Sequence, residues 1–187
     1  MAARSGTSGL TYEDLQAFPE DNVRREIIDG ELIVSASPWT RHQGVVVELA
    51  TRFYMNAQEH GGAVYLGLTA VFFDDTNVVQ PDVLFLRPEN VSKVEKDFIR
   101  GAPDLVVEVS SPSTRRLELV RKRELYERFG IPEYWYVDLD GDRVEIYRLD
   151  TGTYGPPTLL SRADTLESAQ LPGLAISVGA LLGPPED

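Results

Sequence analysis

Cysteine is missing from all 187 residues, so disulfides and thiolate metal sites are excluded. The same absence fits a reducing compartment. Histidine is nearly as scarce, with His42 and His60 alone, and no pair has the spacing of a histidine metal site. The first residues, Met-Ala-Ala-Arg-Ser-Gly-Thr-Ser-Gly, lack the apolar run of a secretory leader. No uncharged stretch approaches the roughly 18 apolar residues that cross a bilayer. The expectation is a cytoplasmic protein without a membrane partner. Phosphate-cradling glycine loops and the Gly-x-Ser-x-Gly elbow are absent too, which removes nucleotide-binding and serine-hydrolase readings. Lysine is rare: only Lys93, Lys96 and Lys122 among 18 basic residues. Because lysine, unlike arginine, shifts its proton affinity readily on burial, each of the three invites scrutiny.

Acid predominates. The formal net charge of −12 opposes sequence-independent binding to a phosphate backbone. Carboxylates that hold a divalent cation count fully in that sum, although the ion offsets them locally. Charge is also uneven: Arg115, Arg116, Arg121, Lys122, Arg123 and Arg128 fall close together, interleaved with Glu118, Glu124 and Glu127. A chain of this length fits one domain and buries a core unaided. Residues 1–10 read as a flexible N-terminus, 11–183 as a single domain and 184–187 as a tail.

Apolar patterning sets the expected elements. Thr11 heads a short helix over 11–18. Asp29-Gly30, between Glu26-Ile-Ile and Glu31-Leu-Ile-Val, is a two-residue hairpin signal. Residues 42–58 place Val45, Val46, Leu49, Ala50, Phe53 and Tyr54 at helical spacing before Gly61-Gly62. Two β-rich runs follow, 63–73 and 78–86, separated by Asp74-Asp75-Thr76-Asn77. Asp104–Val109 reads as a buried central strand. Thr114 is a candidate cap for a helix over 115–129, closed by Gly130 and Pro132. Tyr134–Asp138 and Arg143–Leu149 are strands joined through Asp140-Gly141-Asp142. Beyond 150, glycine and proline recur between short apolar pieces. The central order is helix, strand, strand, strand, helix, strand, with extra hairpins at both ends.

Two carboxylates sit where strands hold them at high cost. Asp82 lies in Val78-Val-Gln-Pro-Asp-Val-Leu-Phe-Leu86, and Glu108 in Leu105-Val-Val-Glu-Val109. An unpaired ionised carboxylate in such surroundings demands a partner. Strand alternation puts Gln80 on the face of Asp82, where it can orient water or phosphate. If the two strands are neighbours, the acids meet, and like charges at close range require a shared proton or a cation. The competing reading pairs each acid with its own arginine. Lys122 is placed by helix geometry. Counting about 100° per residue from Leu117, Leu125, Phe129, Tyr126 and Leu119 span roughly 80° to 200°, and Lys122 falls near 140° among them. It therefore faces the sheet, or snorkels past it.

These blocks resemble the bacterial Uma-two family of restriction-endonuclease-like proteins over residues 11 to 183. Carrying the resemblance are Glu26-Ile-Ile-Asp-Gly-Glu-Leu32, Ser37-Pro-Trp-Thr-Arg-His-Gln43, Val79-Gln-Pro-Asp-Val83, and above all Pro103-Asp-Leu-Val-Val-Glu-Val-Ser-Ser-Pro-Ser-Thr114. Lys122-Arg-Glu-Leu-Tyr126 and Gly130-Ile-Pro-Glu-Tyr-Trp-Tyr-Val-Asp138 complete it. The resemblance implies the PD-(D/E)xK nuclease superfamily: an α/β fold with a restriction-endonuclease-like core, a mixed central sheet, flanking helices and added terminal hairpins. It implies a metal-dependent endonuclease acting on double-stranded DNA, with Asp82, Glu108 and the Val109 carbonyl holding Mg2+ or Mn2+. Position 110, where that superfamily expects its lysine, is Ser110, and Lys122 fits a lysine migrated to the following helix. His42, Gln80 and either Glu26 or Glu31 are further candidates, with Glu26 preferred. A homodimer suits an enzyme that cuts two strands. The alternatives are an inactive nucleic-acid-binding or assembly module on the same scaffold, and a metal-dependent hydrolase of a smaller anion.

Overall fold

Asp29-Gly30 makes the turn its composition announces. Both residues adopt left-handed backbone angles (φ 52° and 77°), the geometry of a tight hairpin turn. The turn joins β1 (Arg24–Ile28) to β2 (Glu31–Ser35), with Ile28 opposite Glu31. Those elements belong to a computed structural model that describes residues 9–19, 21, 23–35, 39–110 and 117–184. Residues 1–8 of the expected flexible N-terminus lie outside the described residues, as do Thr114 with its expected cap and residues 185–187 of the expected tail.

Helix α1 (Tyr12–Gln16) precedes the hairpin and is closed by a reciprocal cap between Thr11 and Asp14. Helix α2 (Thr40–His60) follows it and buries Val45, Val46, Leu49 and Phe53 on one face. Its C-terminus stops at Gly61 (φ 81°) and Gly62 (φ 106°).

The next 24 residues depart from the two strands that patterning suggests. They form β3 (Ala63–Leu66), β4 (Ala70–Asp74), β5 (Asn77–Val79) and β6 (Val83–Leu86). The first run is broken by a turn at Gly67-Leu68-Thr69, where Leu68 takes φ 78°. The second is broken at Gln80-Pro81, since proline cannot extend a sheet ladder. Each run thereby feeds two different sheets.

A 3-10 turn (Pro88–Lys93) leads to β7 (Phe98–Arg100) and β8 (Leu105–Val109). A π-helical turn (Leu117–Lys122) runs directly into α3 (Arg123–Arg128), so the expected helix begins wide and then tightens. After it come β9 (Glu133–Asp138), β10 (Arg143–Asp150), β11 (Thr153–Tyr154) and β12 (Thr158–Ser161). The described chain closes with β13 (Thr165–Glu167), β14 (Ala175–Ser177) and α4 (Val178–Leu182).

The main sheet has the order β11-β10-β9-β8-β6-β3, with β12 also on β10; the second has the order β2-β1-β5-β4-β7. In the main sheet β6 runs antiparallel to both its neighbours, β3 and β8, and β8 pairs parallel with β9. With α2 before β3 and α3 before β9, the helix-strand-strand-strand-helix-strand core is present in order. The second sheet is built from the hairpin and the strands inserted within that core.

Alternation along β8 explains why it is buried on both faces. Leu105, Val107 and Val109 join α2, Trp135 and α4 in one cluster. Val106 joins Leu125, Tyr126, Tyr134 and residues of the second sheet in another. Phe53 meets Trp135 edge-on at 5.5 Å between ring centres. Each fully buried side chain of this kind contributes about 1.5–3 kcal/mol. Glu108 projects on the Val106 face, among the second group. No described helix is long and apolar enough to cross a membrane.

Candidate active site

Register brings the two acids together. Val83 pairs with Val107 across β6 and β8, so Asp82, one residue before β6, falls opposite Glu108. Both are buried, as are Glu26, Lys122 and His42. The Val109 backbone N–H donates to Asp82 Oδ2 at 2.8 Å, and His42 Nε2 lies 3.1 Å from the same oxygen. Asp82 is thus fixed from β8 on one side and from the first turn of α2 on the other.

Lys122 faces the sheet as its helical phase predicts and leaves 1% of its side chain exposed. Its Nζ lies 2.8 Å from Glu108 Oε1 and 2.8 Å from Glu26 Oε1. It stands where the π turn passes into α3, a kind of junction frequent at functional sites. Tyr126, one α-helical turn later, donates its hydroxyl to Glu108 Oε1 at 2.5 Å. Glu26 also accepts the Gln80 backbone N–H at 2.7 Å.

Arg24 completes the cluster. Its NH1 donates to Asp82 Oδ1 at 2.7 Å and its NH2 to Glu108 Oε2 at 3.2 Å, with Glu26 Oε1 at 3.5 Å. The acids therefore share one arginine instead of taking one each. Sequence reasoning passed over Arg24 and Tyr126. Both carried a signal: Arg24 lies two before Glu26 on a strand, hence on the same face, and Tyr126 lies four after Lys122 on a helix.

Electrostatics follow from this wiring. Burial alone would raise the Asp82 carboxyl, yet the His42 contact, the Arg24 charge and the Val109 amide hold it well below its ordinary range. Burial likewise opposes ionisation of Glu26, but Arg24, Lys122 and the Gln80 amide keep it low. Glu108 goes the other way: burial, with the charges of Asp82 and Glu26, pushes it up against Lys122 and Arg24. Tyr126 is pushed far above its ordinary value by burial and the Glu108 charge. Opposite shifts in adjacent carboxyls mark sites able to divide acid and base roles.

Of the sequence candidates, Asp82, Glu108, Lys122, Glu26 and His42 share this cluster. Gln80 enters through its amide, while its side-chain Oε1 is buried without a hydrogen-bond partner among the described residues. Val109 joins the cluster through its N–H, which donates to Asp82, a group separate from the carbonyl expected as a ligand. Glu31 stands apart, exposed and paired with Arg121 at 2.9 Å. Ser110 is structural: its hydroxyl accepts the Leu139 N–H at 2.8 Å and ties the end of β8 to the end of β9. Within the basic segment, Arg128 is likewise paired, with Asp29 at 2.7 Å.

The donors are all oxygens, which suits a hard divalent ion. Glu26 Oε2 is buried and has no hydrogen-bond partner among the described residues. Donor chemistry therefore fits Mg2+ or Mn2+. However, no three acidic or histidine side chains among the described residues are already gathered as a coordination shell. The Arg24 guanidinium bridges Asp82 and Glu108.

Comparison with known proteins agrees with the core. No curated protein matches the chain. Among solved structures, the crystal structure of "a putative nuclease belonging to DUF820 from Anabaena variabilis" is similar, with a TM-score of 0.78 and 19% identity, covering 92% of this chain and 97% of that one. At that identity the likeness establishes the fold. The family model Uma2, described as "Putative restriction endonuclease", matches residues 11–179. The chain belongs to the Uma2 family of restriction-endonuclease-like proteins.

Proposed function

We propose that the chain is a metal-dependent endonuclease that hydrolyses DNA phosphodiester bonds at the Asp82–Glu108–Lys122 cluster. The observation that carries this reading is the meeting of two buried acids from adjacent strands with one buried lysine from the following helix. Asp82 and Glu108 would hold Mg2+ or Mn2+. Bound there, the ion supplies acidity to an attacking water and offsets charge on the phosphate. The protein's own groups prepare the rest. His42 and the Val109 N–H fix the Asp82 carboxylate, and Lys122 compensates Glu108 and Glu26. The same ammonium adds positive charge beside a phosphate seated at the acids. Double-stranded DNA is the proposed substrate, supported by the restriction-endonuclease description of the family. A cytoplasmic location and a homodimer belong to the same proposal.

One second reading has specific support. The net charge of −12 and the guanidinium between the acids favour a nucleic-acid-binding or assembly module without hydrolytic activity. Supercoiled plasmid incubated with the protein and Mn2+ separates the readings, beside Asp82→Ala, Glu108→Gln and an EDTA control. The endonuclease converts plasmid to open or linear forms, and each variant and EDTA abolish it. Equal cleavage by Asp82→Ala would refute the site. Salt-sensitive retention of DNA without cleavage by any chain would establish the module. Hydrolysis of a small phosphodiester alone would point to a smaller anionic substrate.

A further inference from the structure

Arg24 is costly to hold where it is. An arginine on a surface strand normally turns its head to water, whereas this side chain is 19% exposed. Its guanidinium reaches Asp82 Oδ1 at 2.7 Å and Glu108 Oε2 at 3.2 Å, bridging the two carboxylates with separate nitrogens. Its Nε is buried without a hydrogen-bond partner among the described residues, so the head is anchored by the acids and not by its own stem. β1 lies in the second sheet, whereas Glu108 lies in β8 of the main one and Asp82 immediately before β6 of the same sheet. Arg24 is thus a cation delivered from a neighbouring layer to the point where two acids of the core converge.

From this placement we infer that Arg24 is the resident counterion of the metal-free site and competes with a divalent cation for Asp82 and Glu108. The inference rests on the cation-binding reading proposed above. Without Arg24, Glu26 and Glu108 would keep Lys122 while Asp82 kept His42 and the Val109 N–H, and the like charges of Asp82 and Glu108 brought opposite each other in an apolar setting repel. With it, the site keeps its shape before any ion arrives. A guanidinium and a divalent ion cannot both occupy the gap between the same two carboxylates. Cation entry therefore requires Arg24 to release them, and its partly exposed side chain leaves room toward solvent for that release. The freed head, still tethered beside the acids, is a donor for a phosphate oxygen, a bidentate match that lysine would not provide. Arg24 acts here as a positioning residue: it holds the acids and yields them.

The test measures Mn2+ binding by calorimetry and by the electron-spin resonance of free Mn2+, at fixed ionic strength, for wild type, Arg24→Gln, Arg24→Lys and Glu108→Gln. Arg24→Gln should bind Mn2+ at least about tenfold more tightly than wild type, since a close ionic competitor is gone. In EDTA the same variant should unfold at lower temperature than wild type, and Mn2+ should restore more of its thermal stability than it adds to wild type. Arg24→Lys keeps the charge but not the fork, and should fall between the two in affinity. A readout on the unaltered protein guards against misfolding of the variants. The 15N signals of the Arg24 guanidinium should change on saturation with diamagnetic Mg2+, its hindered rotation becoming faster. Equal or weaker Mn2+ affinity in Arg24→Gln, or a guanidinium unmoved by saturating Mg2+, overturns the competition while leaving cation binding intact. Failure of every chain to bind Mn2+ overturns both this inference and the reading beneath it.

Discussion

Lys122→Met removes an ammonium that two buried carboxylates share while nearly conserving the volume of the stem. Nζ lies 2.8 Å from each of Glu26 Oε1 and Glu108 Oε1, and neither acid's side chain is exposed. At an effective dielectric of about 20, each contact carries about 6 kcal/mol of gross attraction. Desolvation of the lysine offsets several kcal/mol of that sum, so the net loss expected is about 3–5 kcal/mol near neutral pH. The acids left behind set the pH dependence. Burial and neighbouring charges already raise Glu108 above its ordinary value of 4.5, with Lys122 the largest opposing influence. A carboxyl whose folded value is raised binds more protons folded than unfolded. Its contribution is therefore present at low pH and is lost as pH rises through the raised value. Without Lys122 that value moves further up, and Glu26 loses one of the two charges that hold it down. The variant's deficit should be smallest near pH 4.5 and grow toward alkaline pH, by up to about 1.4 kcal/mol per pH unit for each proton involved. Urea unfolding of both proteins between about pH 4.5 and 8.5 measures this directly. A deficit below about 1 kcal/mol, or one that does not vary with pH, would refute a buried, shared ammonium.

Two further predictions concern the surroundings of the site. Tyr126→Phe deletes the hydroxyl that donates to Glu108 Oε1 at 2.5 Å in a fully buried setting, and should cost about 1.5–3 kcal/mol in urea unfolding. The edge-on contact of its ring with Tyr134 is retained, so a loss near zero would mean that the hydrogen bond contributes nothing. Gly62→Ala should lower stability by about 1–3 kcal/mol, read as a drop in thermal midpoint. A Cβ there would stand 2.5 Å from the Leu86 carbonyl and 2.7 Å from the Phe85 ring, at a backbone φ of 106°; an unchanged midpoint would contradict the close approach of α2's end to β6.

How far the sequence reveals this site depends on the kind of signal each residue carries. Asp82 and Glu108 were legible because a carboxylate within an apolar strand run is costly, and cost implies a partner. Lys122 was legible through helical phase: it closes the π turn as the N-cap of α3, so its phase relative to Leu125 and Tyr126 is set by the α-helical part. The hairpin at Asp29-Gly30 needed only local turn chemistry. Arg24 escaped because arginine on a strand is ordinarily solvated, and nothing local says that its strand will be carried over the acids. That placement is a tertiary fact, set by the packing of β1 on β5, where Ile27 pairs with Val78 and the Gln80 N–H donates to Glu26. The division of residues 63–86 between two sheets escaped for a similar reason. Leu68 in a left-handed conformation (φ 78°) is a turn that composition does not announce. Helix α4 is five residues long and capped by Ser177, too short for periodicity to register.

The central claim is that Asp82 and Glu108 take hold of one divalent cation. Crystals grown with Mn2+, with diffraction recorded at a wavelength where manganese scatters anomalously, test it most directly. The account predicts an anomalous peak about 2.0–2.4 Å from oxygens of both carboxylates, with the Arg24 guanidinium withdrawn from between them. Saturating Mn2+ with no peak there, and Arg24 still bridging the two acids, would contradict it.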